Sequence, residues 1–318
     1  MPEKVFAGEK WITPLVSICC LSFNHAPFIR KCLDGFLMQE TTFPVEILIH
    51  DDASTDGTDD IIREYTEKYP DKIFPLFEEE NKYSNGYKGK MDFFNYNRVR
   101  GKYIATCEGD DYWTDPLKLQ KQVDFMELHP EYSVCFHKCR HFDVRSNKFF
   151  FPQSYSCLKE GQLGMDVTVD DYFHKDLVQP LTMLFRLSMF GFGWHNQYKH
   201  YRDTYEIYHL LRSGKGYWMN FDGGVYTLHG GGVSTSAHME QRCWEEREHI
   251  LELYLKTRDK VLEDYLVEIL LWNYDTYERN KDVHSFHEMM KKFRNMVPSV
   301  SMKVYYIIAK RKVKKWVK

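Results

Sequence analysis

The chain has 318 residues and a mass of 38.2 kDa, and 43% of its residues are hydrophobic, which suffices for one large or two ordinary domains. Its 43 Lys and Arg against 46 Asp and Glu give a formal charge of -3, so we expect no nucleic acid as a partner. The longest apolar runs fall well short of the ~20 residues that a membrane-spanning helix needs.

The cysteines of the chain favour a reducing compartment. They lie mostly within apolar runs and form no C-x-x-C pair, so we expect free thiols and a cytoplasmic protein. The segment "CFHKCRH", residues 135–141, offers two Cys and two His as possible zinc ligands. Their alternate spacing places them along an extended strand that rises about 3.3 Å per residue, so they cannot converge on one ion. We therefore predict a structural strand here.

Strands and helices alternate over the first 130 residues. The predicted strands are "LVSICCLSF", "VEILIHDD", "KIFPLF" and "KYIATC", and the predicted helices are "APFIRKCLDGFLMQ", "GTDDIIREYTEKYP" and "DPLKLQKQVDFMELHP". The first run, "PLVSICCLSF", lacks a basic leader and a small-residue cleavage site, so we interpret it as a strand and not as a signal peptide. The alternation predicts an α/β fold with a mostly parallel sheet between helices, whose ligands lie beyond the carboxyl ends of the strands.

Acidic residues stand where two of these strands end. Asp51 and Asp52 close the second strand, and Glu108, Asp110 and Asp111 follow the fourth. The predicted fold gathers these five acids along one edge of the sheet, where like charges raise pKa values unless a cation offsets them. A hard divalent ion such as Mn²⁺ or Mg²⁺, chelated also by phosphate oxygens, is the simplest solution.

The alternative is that these acids belong to solvated turns and helix caps. We favour it for Asp115, because the proline that follows suits the first position of a helix. For Asp110 and Asp111 we favour a functional role. Tyr112 and Trp113 come directly after them, which is a poor composition for a turn and a reasonable one for the wall of a pocket.

The order of these motifs resembles family 2 glycosyltransferases with the GT-A fold. The resemblance rests on "VSICCLSFNHAPFIRKCLDGFLMQ", "VEILIHDDASTDGTDDII" and "GKYIATCEGDDYWTDPLKLQKQVDFME", covers residues 14–130, and resumes at "YRDTYEIYHLLRSGKGYWMNFDGGVYTLHGGGVS", residues 201–234. It implies an enzyme that moves a sugar from a nucleotide-sugar to an acceptor with inversion at the anomeric carbon, of the type that builds bacterial cell-surface polysaccharides.

The resemblance assigns the nucleotide to the ends of the first two strands. It implies that Ser22, Phe23 and Asn24 lie near the nucleotide and that Asp51 or Asp52 accepts a hydrogen bond from the base. A carboxylate that accepts from the imide N–H of uracil is a sound donor–acceptor match. This match favours a UDP-linked sugar as the donor.

The resemblance assigns the metal and the diphosphate to the third motif. Asp110 and Asp111 match the family's D-x-D pair, with Asp111 as the direct ligand of Mn²⁺ or Mg²⁺ and Asp110 nearer the ribose or the ion's water shell. Glu108 stands where the family usually has Asp, which leaves open whether it touches the sugar, the ribose or neither. His229 matches a histidine that binds the metal or the diphosphate, and its alternative role is to cap a loop.

The reaction needs a base for the acceptor hydroxyl. Asp203 matches the family's base position and starts an amphipathic helix, so it can also serve as the helix N-cap. Glu206, one turn further on, is the reserve candidate. The acceptor implied is a saccharide or a lipid-linked saccharide. The competing hypothesis is a protein that binds nucleotide-sugars without catalysis.

The composition changes to a helical pattern near residue 236. We therefore expect a GT-A domain over residues 1–235, with a nucleotide-sugar half at 14–130 and an acceptor half at 131–235, followed by a helical extension over 236–318. The extension either packs on the catalytic domain or forms a homo-oligomer contact. Its basic tail, "SMKVYYIIAKRKVKKWVK", leaves two alternatives open: peripheral attachment to the inner face of the plasma membrane, or a solvated terminus.

Overall fold

The computed structural model describes residues 13–87, 92–157, 161–175, 177–199, 201–231 and 239–316. The chain forms two compact units. The first contains the described residues up to Gln197 together with Tyr201–His229, and the second contains Tyr198, Lys199 and the described residues from Gly230 onward. The domain boundary predicted after residue 235 falls on residues outside the described ones and stays a prediction.

A ten-stranded sheet forms the centre of the first unit. Its order is β3-β2-β1-β4-β9-β6-β10-β5, with β7 beside β6 and β8 beside β10. The strands are β1 Val16–Ser22, β2 Val45–Asp51, β3 Ile73–Phe77, β4 Tyr103–Thr106, β5 Tyr112–Trp113, β6 Tyr132–Asp143, β7 Lys148–Phe150, β8 Gly164–Val167, β9 Leu184–Arg186 and β10 Lys215–Leu228.

The sheet is parallel in its first half and mixed in its second. The strands β1 to β4 pair in parallel, as the alternation of elements predicts, and β6 pairs in parallel with β10. The other pairs, which involve β5, β7, β8 and β9, are antiparallel. The α/β prediction is confirmed. The antiparallel strands were missed because they are short and most lie beyond the first 130 residues, where no alternation of strand and helix announces them.

Helices flank the sheet of the first unit. They are α1 Ile29–Leu37, α2 Thr58–Lys68, α3 Asp92–Tyr96, α4 Lys118–Leu128, α5 Val169–Lys175 and α6 Asp203–Ser213. A π-helical turn covers Tyr83–Tyr87, and 3₁₀ turns cover Gln153–Cys157, Pro180–Thr182, Leu187–Met189 and Trp194–Gln197. Helix α1 buries Ile29, Cys32, Leu33 and Phe36, whose helical spacing in the sequence predicts one apolar face.

The segment of residues 135–141 lies within β6, as predicted. Cys135, His137 and Cys139 are fully buried in the strand. Among the described residues there is no group of three or more His, Cys, Asp or Glu side chains arranged to hold a metal ion. The extended backbone of β6 spaces the alternate side chains of this segment along the strand.

The second unit is helical, with α7 Met239–Thr257, α8 Lys260–Arg279, α9 Val283–Met296 and α10 Pro298–Trp316. Residues 301–316 of the basic tail lie in α10. In this helix Val300, Val304 and Ile308 are buried, while Lys310 and Arg311 are exposed. None of the described helices combines the length and the apolar character needed to cross a bilayer.

Candidate active site

The carboxyl ends of β1, β2 and β4 meet at one edge of the sheet. The strands are parallel and in register, so that Ser22 of β1 pairs with Asp51 of β2. Two backbone hydrogen bonds hold the following segments to β1: the N–H of Asp52 donates to the carbonyl of Ser22 at 2.9 Å, and the N–H of Gly109 donates to the carbonyl of Leu21 at 2.8 Å. The acids that follow β2 and β4 are therefore brought to the same edge.

The carboxylate of Asp51 is occupied by the turn that follows it. One oxygen accepts from the hydroxyl of Ser54 at 2.6 Å, and the other accepts from the N–H of Ser54 at 3.0 Å. Burial raises the pKa of Asp51 above its usual value, and the two hydrogen bonds from Ser54 oppose that rise. Asp51 thus builds the loop that leads into α2.

The carboxylate of Asp52 holds a second loop. Its two oxygens accept from the backbone N–H groups of Lys82, at 2.6 Å, and Tyr83, at 3.0 Å. The amide of Asn81 also donates to the carbonyl oxygen of Asp52 at 3.3 Å. The residue is almost fully buried. Asp52 therefore fastens the segment after β3 to the end of β2.

The residues after β1 form a turn that faces the same edge. Asn24 adopts a left-handed backbone with φ of 54°. Its side-chain oxygen accepts from the N–H of Thr55 at 2.8 Å, and its N–H donates to the hydroxyl of Ser54 at 2.9 Å. Phe23 is exposed to 42% of its surface, whereas the buried Ser22 hydroxyl has no hydrogen-bond partner among the described residues. The structure brings all three residues to the edge, and their nucleotide contacts stay predictions.

Asp110 lies between two histidines. One of its oxygens is 2.8 Å from Nε2 of His229 and 3.8 Å from Nε2 of His25, while the other oxygen is buried without a partner among the described residues. Burial by itself raises the pKa of Asp110, but the hydrogen bond from His229 and the charges of both imidazoles outweigh it, so that the pKa lies below its usual value. Asp110 is thus held in its carboxylate form, and one of its oxygens has no hydrogen-bond partner among the described residues.

Asp111 sits deeper than Asp110. It is buried, and one oxygen accepts from the backbone N–H of Thr227 at 2.7 Å. Burial and the neighbouring charge of Asp110 raise the pKa of Asp111 well above its usual value. The structure therefore pairs His229 with Asp110 and links Asp111 to β10. The expectation that Asp111 is the direct ligand of the metal stays a prediction.

The tight turn before these acids depends on Gly109. A Cβ atom built on Gly109 would lie 2.8 Å from Nδ1 of His25 and 3.1 Å from the hydroxyl of Ser22, so no larger residue fits without displacing them. Glu108 is exposed, and its carbonyl accepts from the N–H of Asp111 at 3.1 Å. Glu108 thus lies at the mouth of the site. Its contact with a ligand stays a prediction.

Asp203 and Glu206 are both on α6 but in different surroundings. Asp203 is solvent-accessible at the first position of the helix, and one of its oxygens accepts from the N–H of Thr204 at 2.9 Å. Desolvation by the surrounding protein raises the pKa of Asp203, and the hydrogen bond from Thr204 opposes the rise. Glu206 is buried and accepts from the hydroxyl of Tyr96 at 2.9 Å. Of the two, Asp203 is the carboxylate that an acceptor can reach.

The residues present fit a divalent ion that is also held by its substrate. Asp110 offers a carboxylate oxygen that has no partner within the described part of the chain, and Nε2 of His229 lies 2.8 Å from the other oxygen. Mg²⁺ and Mn²⁺ in such sites use one or two protein ligands and take the remainder from phosphate oxygens and water.

His25 is the residue that the sequence analysis missed. Its ring is buried beside Asp110 and lies edge-on to the ring of His229, with 6.3 Å between the centroids. Its Nδ1 is buried and has no partner among the described residues, and burial lowers its pKa. The sequence did contain a signal for His25. It directly follows Ser22, Phe23 and Asn24, which the resemblance had already assigned to the nucleotide.

Comparison with known proteins identifies the class to which this arrangement belongs. Residues 17–167 match the family model described as glycosyl transferase family 2. This region of the chain therefore belongs to that family, which confirms the resemblance carried by the motifs.

Relatives found by sequence match part of this chain. An uncharacterised protein of Mycobacterium tuberculosis is 35% identical over 246 residues, which cover 74% of this chain and 65% of the relative. The chain thus spans slightly less than two thirds of that relative's length. An Escherichia coli protein named as a UDP-Glc:alpha-D-GlcNAc-diphosphoundecaprenol beta-1,3-glucosyltransferase is 34% identical over 113 residues, or 36% of this chain and 41% of the relative.

Solved structures show the same fold at low sequence identity. Staphylococcus aureus TarS, residues 1–349 in complex with UDP-GlcNAc, matches with a TM-score of 0.61 at 18% identity, over 91% of this chain and 83% of that one. The mannosyltransferase PcManGT of Pyrobaculum calidifontis, in complex with GDP-Man and Mn²⁺, matches with a TM-score of 0.53 at 14% identity, over 95% and 83% of the chains. These likenesses support the GT-A fold.

Proposed function

We propose that this protein is an inverting, metal-dependent glycosyltransferase. It transfers a sugar from a UDP-linked donor to a saccharide or lipid-linked saccharide acceptor in the synthesis of cell-surface polysaccharide. The observation that carries the proposal is the edge of the sheet beyond the ends of β1 and β4. There Asp110, which has one oxygen without a partner among the described residues, meets His229 and His25. Ligands of open α/β sheets bind at this place.

The comparisons support the donor class and leave its identity to experiment. The TarS structure contains UDP-GlcNAc, the Escherichia coli relative is named for UDP-Glc, and the mannosyltransferase structure contains GDP-Man. All three named sugars are linked to a nucleoside diphosphate. We propose a UDP-sugar because a carboxylate at the end of β2 suits the imide N–H of uracil. Since Asp51 and Asp52 are each engaged within the protein, uracil would compete with Ser54 or with the loop of Lys82 and Tyr83.

The side chains around Asp110 would hold the diphosphate end of the donor. Asp110 and His229 would hold Mn²⁺ or Mg²⁺, which neutralises the charge that develops on the departing diphosphate. Asp111 would fix the position of Asp110. Its carboxylate accepts a hydrogen bond from the N–H of Thr227, which links the turn of Asp110 to β10, the strand that directly precedes His229. Glu108, exposed at the mouth, would face the ribose or the sugar.

Asp203 would take the proton of the acceptor hydroxyl as that oxygen attacks the anomeric carbon. Its raised pKa brings the carboxylate closer to the working pH of a general base than an ordinary aspartate. Its accessible position lets an acceptor approach. Glu206 would have a structural role, because its carboxylate is buried and accepts a hydrogen bond from the hydroxyl of Tyr96.

Thermal-shift measurements with UDP, GDP, CMP and dTDP, each with and without Mn²⁺, test the donor half of the proposal. A ligand that binds only the folded state raises the melting temperature by mass action. We expect UDP to stabilise the protein and Mn²⁺ to enlarge the shift. A metal-dependent shift with another nucleotide would change the donor class, and no shift with any of the four would contradict the proposal.

Transfer from a radiolabelled UDP-sugar tests the catalytic half. We expect Asp203→Asn to keep the UDP shift and to lose transfer by about 10²–10⁴-fold, the usual contribution of a general base. Glu206→Gln is the matched control on the same helix, and it should retain transfer in proportion to its folded fraction. Full transfer by Asp203→Asn would instead make Glu206 the base. Donor binding by the wild type without turnover in any acceptor would favour a non-catalytic binding protein.

A further inference from the structure

One hairpin of the first unit carries an unusual exposed surface. It comprises Asp143–Phe151, which turn from β6 into β7 and form what we call the aromatic hairpin. Every residue from Val144 to Phe151 is exposed, and Phe149, Phe150 and Phe151 expose 52%, 44% and 43% of their surfaces. Single exposed apolar residues are ordinary, but a continuous run of three phenylalanines marks an interaction surface.

Basic side chains surround these rings. Nζ of Lys138 lies 3.9 Å from the ring centroid of Phe151, and the guanidinium of Arg140 lies 5.7 Å from that of Phe149. Arg145 and Lys148 are exposed within the hairpin itself. The surface therefore combines apolar rings with cationic groups.

The acidic groups near the hairpin are already engaged. Asp143 accepts hydrogen bonds from the N–H of Arg145, at 2.9 Å, and from the hydroxyl of Ser146, at 2.8 Å, which shapes the turn. Asp222 forms an ion pair with Arg140 at 2.8 Å. Lys138 and Lys148 therefore leave the surface with positive charge, which is complementary to an anionic partner.

A neighbouring side chain already packs against each of the three rings. Phe149 stacks on Phe142 with 4.5 Å between the centroids and 28° between the planes. Phe150 packs on His141 at 5.4 Å, and a face of Phe151 is covered by Lys138. Phenylalanine also lacks the polar group by which Tyr and Trp assist carbohydrate binding. An apolar phase bordered by negative charge fits this surface better than an oligosaccharide does.

The aromatic hairpin is attached to the candidate active site through the sheet. Asp143 pairs with Leu228 at the end of β10, and the N–H of Val144 donates to the carbonyl of Leu228 at 3.1 Å. The next residue of that strand segment is His229, which contacts Asp110. Any surface into which the hairpin inserts would therefore lie near His229 and Asp110, the residues that we assign to the diphosphate of the donor.

We propose that the aromatic hairpin inserts into the surface of an anionic membrane and thereby presents the site to an acceptor held in the bilayer. The phenylalanines enter the boundary between headgroups and acyl chains, and the basic side chains remain among the anionic headgroups. The choice of a membrane-held acceptor rests on the proposed function, but the insertion itself does not. It is also separate from the basic tail, whose apolar residues Val304 and Ile308 are buried in the second unit.

Co-sedimentation with vesicles tests the insertion without donor or metal. Vesicles of equal amounts of phosphatidylglycerol and phosphatidylcholine are compared with vesicles of phosphatidylcholine alone. We expect the wild type to prefer the anionic vesicles and the double variant Phe149→Ser with Phe150→Ser to bind at least about tenfold more weakly. Lys148→Ala should weaken binding about fivefold, the loss expected for one basic residue at an anionic surface.

The control variant is Leu163→Ser, which removes an apolar side chain that is 86% exposed elsewhere in the same unit. It should bind like the wild type. A second variant, Lys310→Gln with Arg311→Gln, removes exposed charges of the tail and should retain most of the binding. If the tail variant loses binding and the hairpin variant keeps it, the hairpin proposal is wrong and the tail is the membrane contact.

A fluorescent reporter separates insertion from simple attraction of charges. In Phe150→Trp we expect the emission of the new tryptophan to shift to shorter wavelength on anionic vesicles, relative to the wild-type background. An unchanged difference spectrum would contradict insertion. Transfer to a soluble acceptor by the hairpin variant is measured in parallel. If the variant keeps this transfer but loses vesicle binding, the result supports the proposal. If the wild type itself shows no transfer, the result contradicts the proposed function and leaves the test of insertion unaffected.

Discussion

Two pairs of acids at the same edge of the sheet have opposite surroundings. The carboxylates of Asp51 and Asp52 each accept two hydrogen bonds from neighbouring loops, whereas Asp110 shares one oxygen with two imidazoles and leaves the other without a partner among the described residues. The first pair shapes the edge, and Asp110 retains the capacity to bind. The hydrogen bonds therefore distinguish carboxylates that look alike in the sequence: Asp51, Asp52 and Asp111 are held by neighbouring segments, and Asp110 has an oxygen without a partner among the described residues.

The largest expected effect comes from Asp110→Asn. Under the proposed function this change removes the charge that faces the metal and the diphosphate, so we expect transfer to fall about 10³-fold and the Mn²⁺-dependent part of the UDP shift to disappear. Asp52→Asn is the matched comparison. It should loosen the loop of Lys82 and Tyr83 and reduce the free energy of unfolding by about 1–3 kcal/mol, with a much smaller loss of transfer per folded molecule. Equal losses of transfer would remove the distinction between the two pairs.

A smaller effect is expected from Gly109→Ala, which tests the close packing around Asp110. The added methyl group would meet Nδ1 of His25 at 2.8 Å and the hydroxyl of Ser22 at 3.1 Å. We expect a loss of about 1–3 kcal/mol in the free energy of unfolding and weaker nucleotide binding. Chemical denaturation measures the first and the UDP thermal shift the second. Gly193→Ala is the control, because a Cβ there meets nothing within 4 Å; similar losses in both variants would contradict the packing argument.

Lys118 tests whether a buried polar atom without a partner is by itself a sign of function. Its ammonium is fully buried, lies 3.6 Å from the ring centroid of Trp113 and has no hydrogen-bond partner among the described residues. Burial lowers the pKa of Lys118 from 10.5 to about 7, against the opposing effect of Cys107 and Cys135. We interpret it as a structural residue and expect Lys118→Met to preserve transfer at neutral pH.

The same group predicts a dependence of stability on pH. Because the pKa of Lys118 is lower in the folded than in the unfolded chain, the unfolded chain binds the extra proton between about pH 7 and 10.5, and stability rises with pH in that window. The contribution is at most about 1.4 kcal/mol per pH unit. Urea denaturation at several pH values should show this slope in the wild type and lose it in Lys118→Met. The same slope in both proteins would assign it to another group.

The smallest effect is expected from Ser54→Ala, which removes the 2.6 Å hydrogen bond from the hydroxyl to Asp51. We expect the pKa of Asp51 to rise further and the protein to lose about 1 kcal/mol of stability at neutral pH. Because burial raises the pKa of Asp51 above 3.8, the folded chain keeps the carboxyl proton to a higher pH than the unfolded chain does. Stability therefore falls as the pH rises from 3.8 through the pKa of the folded chain, and the variant should enlarge this fall. Carbon-13 NMR of the carboxyl measures the pKa. Thr55→Ala, which removes only a 3.5 Å contact with Asn24, should change neither.

Much of the fold could be predicted from the sequence. The strands β1 to β4 and the helices α1 and α2 follow from periodicity, because each is a local pattern of apolar side chains, whereas the short helix α3 was not predicted. The position of Asp51, Asp52, Glu108, Asp110 and Asp111 at one edge follows from the direction of parallel strands. The family could be inferred from the order of the motifs, and the family model that matches residues 17–167 agrees with it.

The partners of each acid could not be predicted, because they come from distant parts of the chain. His229 follows β10, which joins the sheet beside β6 and β5, and only this pairing brings its imidazole to Asp110 and the N–H of Thr227 to Asp111. The same holds for the opposite shifts of pKa: burial raises the pKa of both carboxyls, but only Asp110 lies beside His229 and His25, which lower its pKa. The sequence by itself determined which residue types stand at the ends of the strands. Only the tertiary structure decided which carboxylate keeps an oxygen for a ligand, since hydrogen bonds and desolvation depend on neighbours that periodicity does not encode.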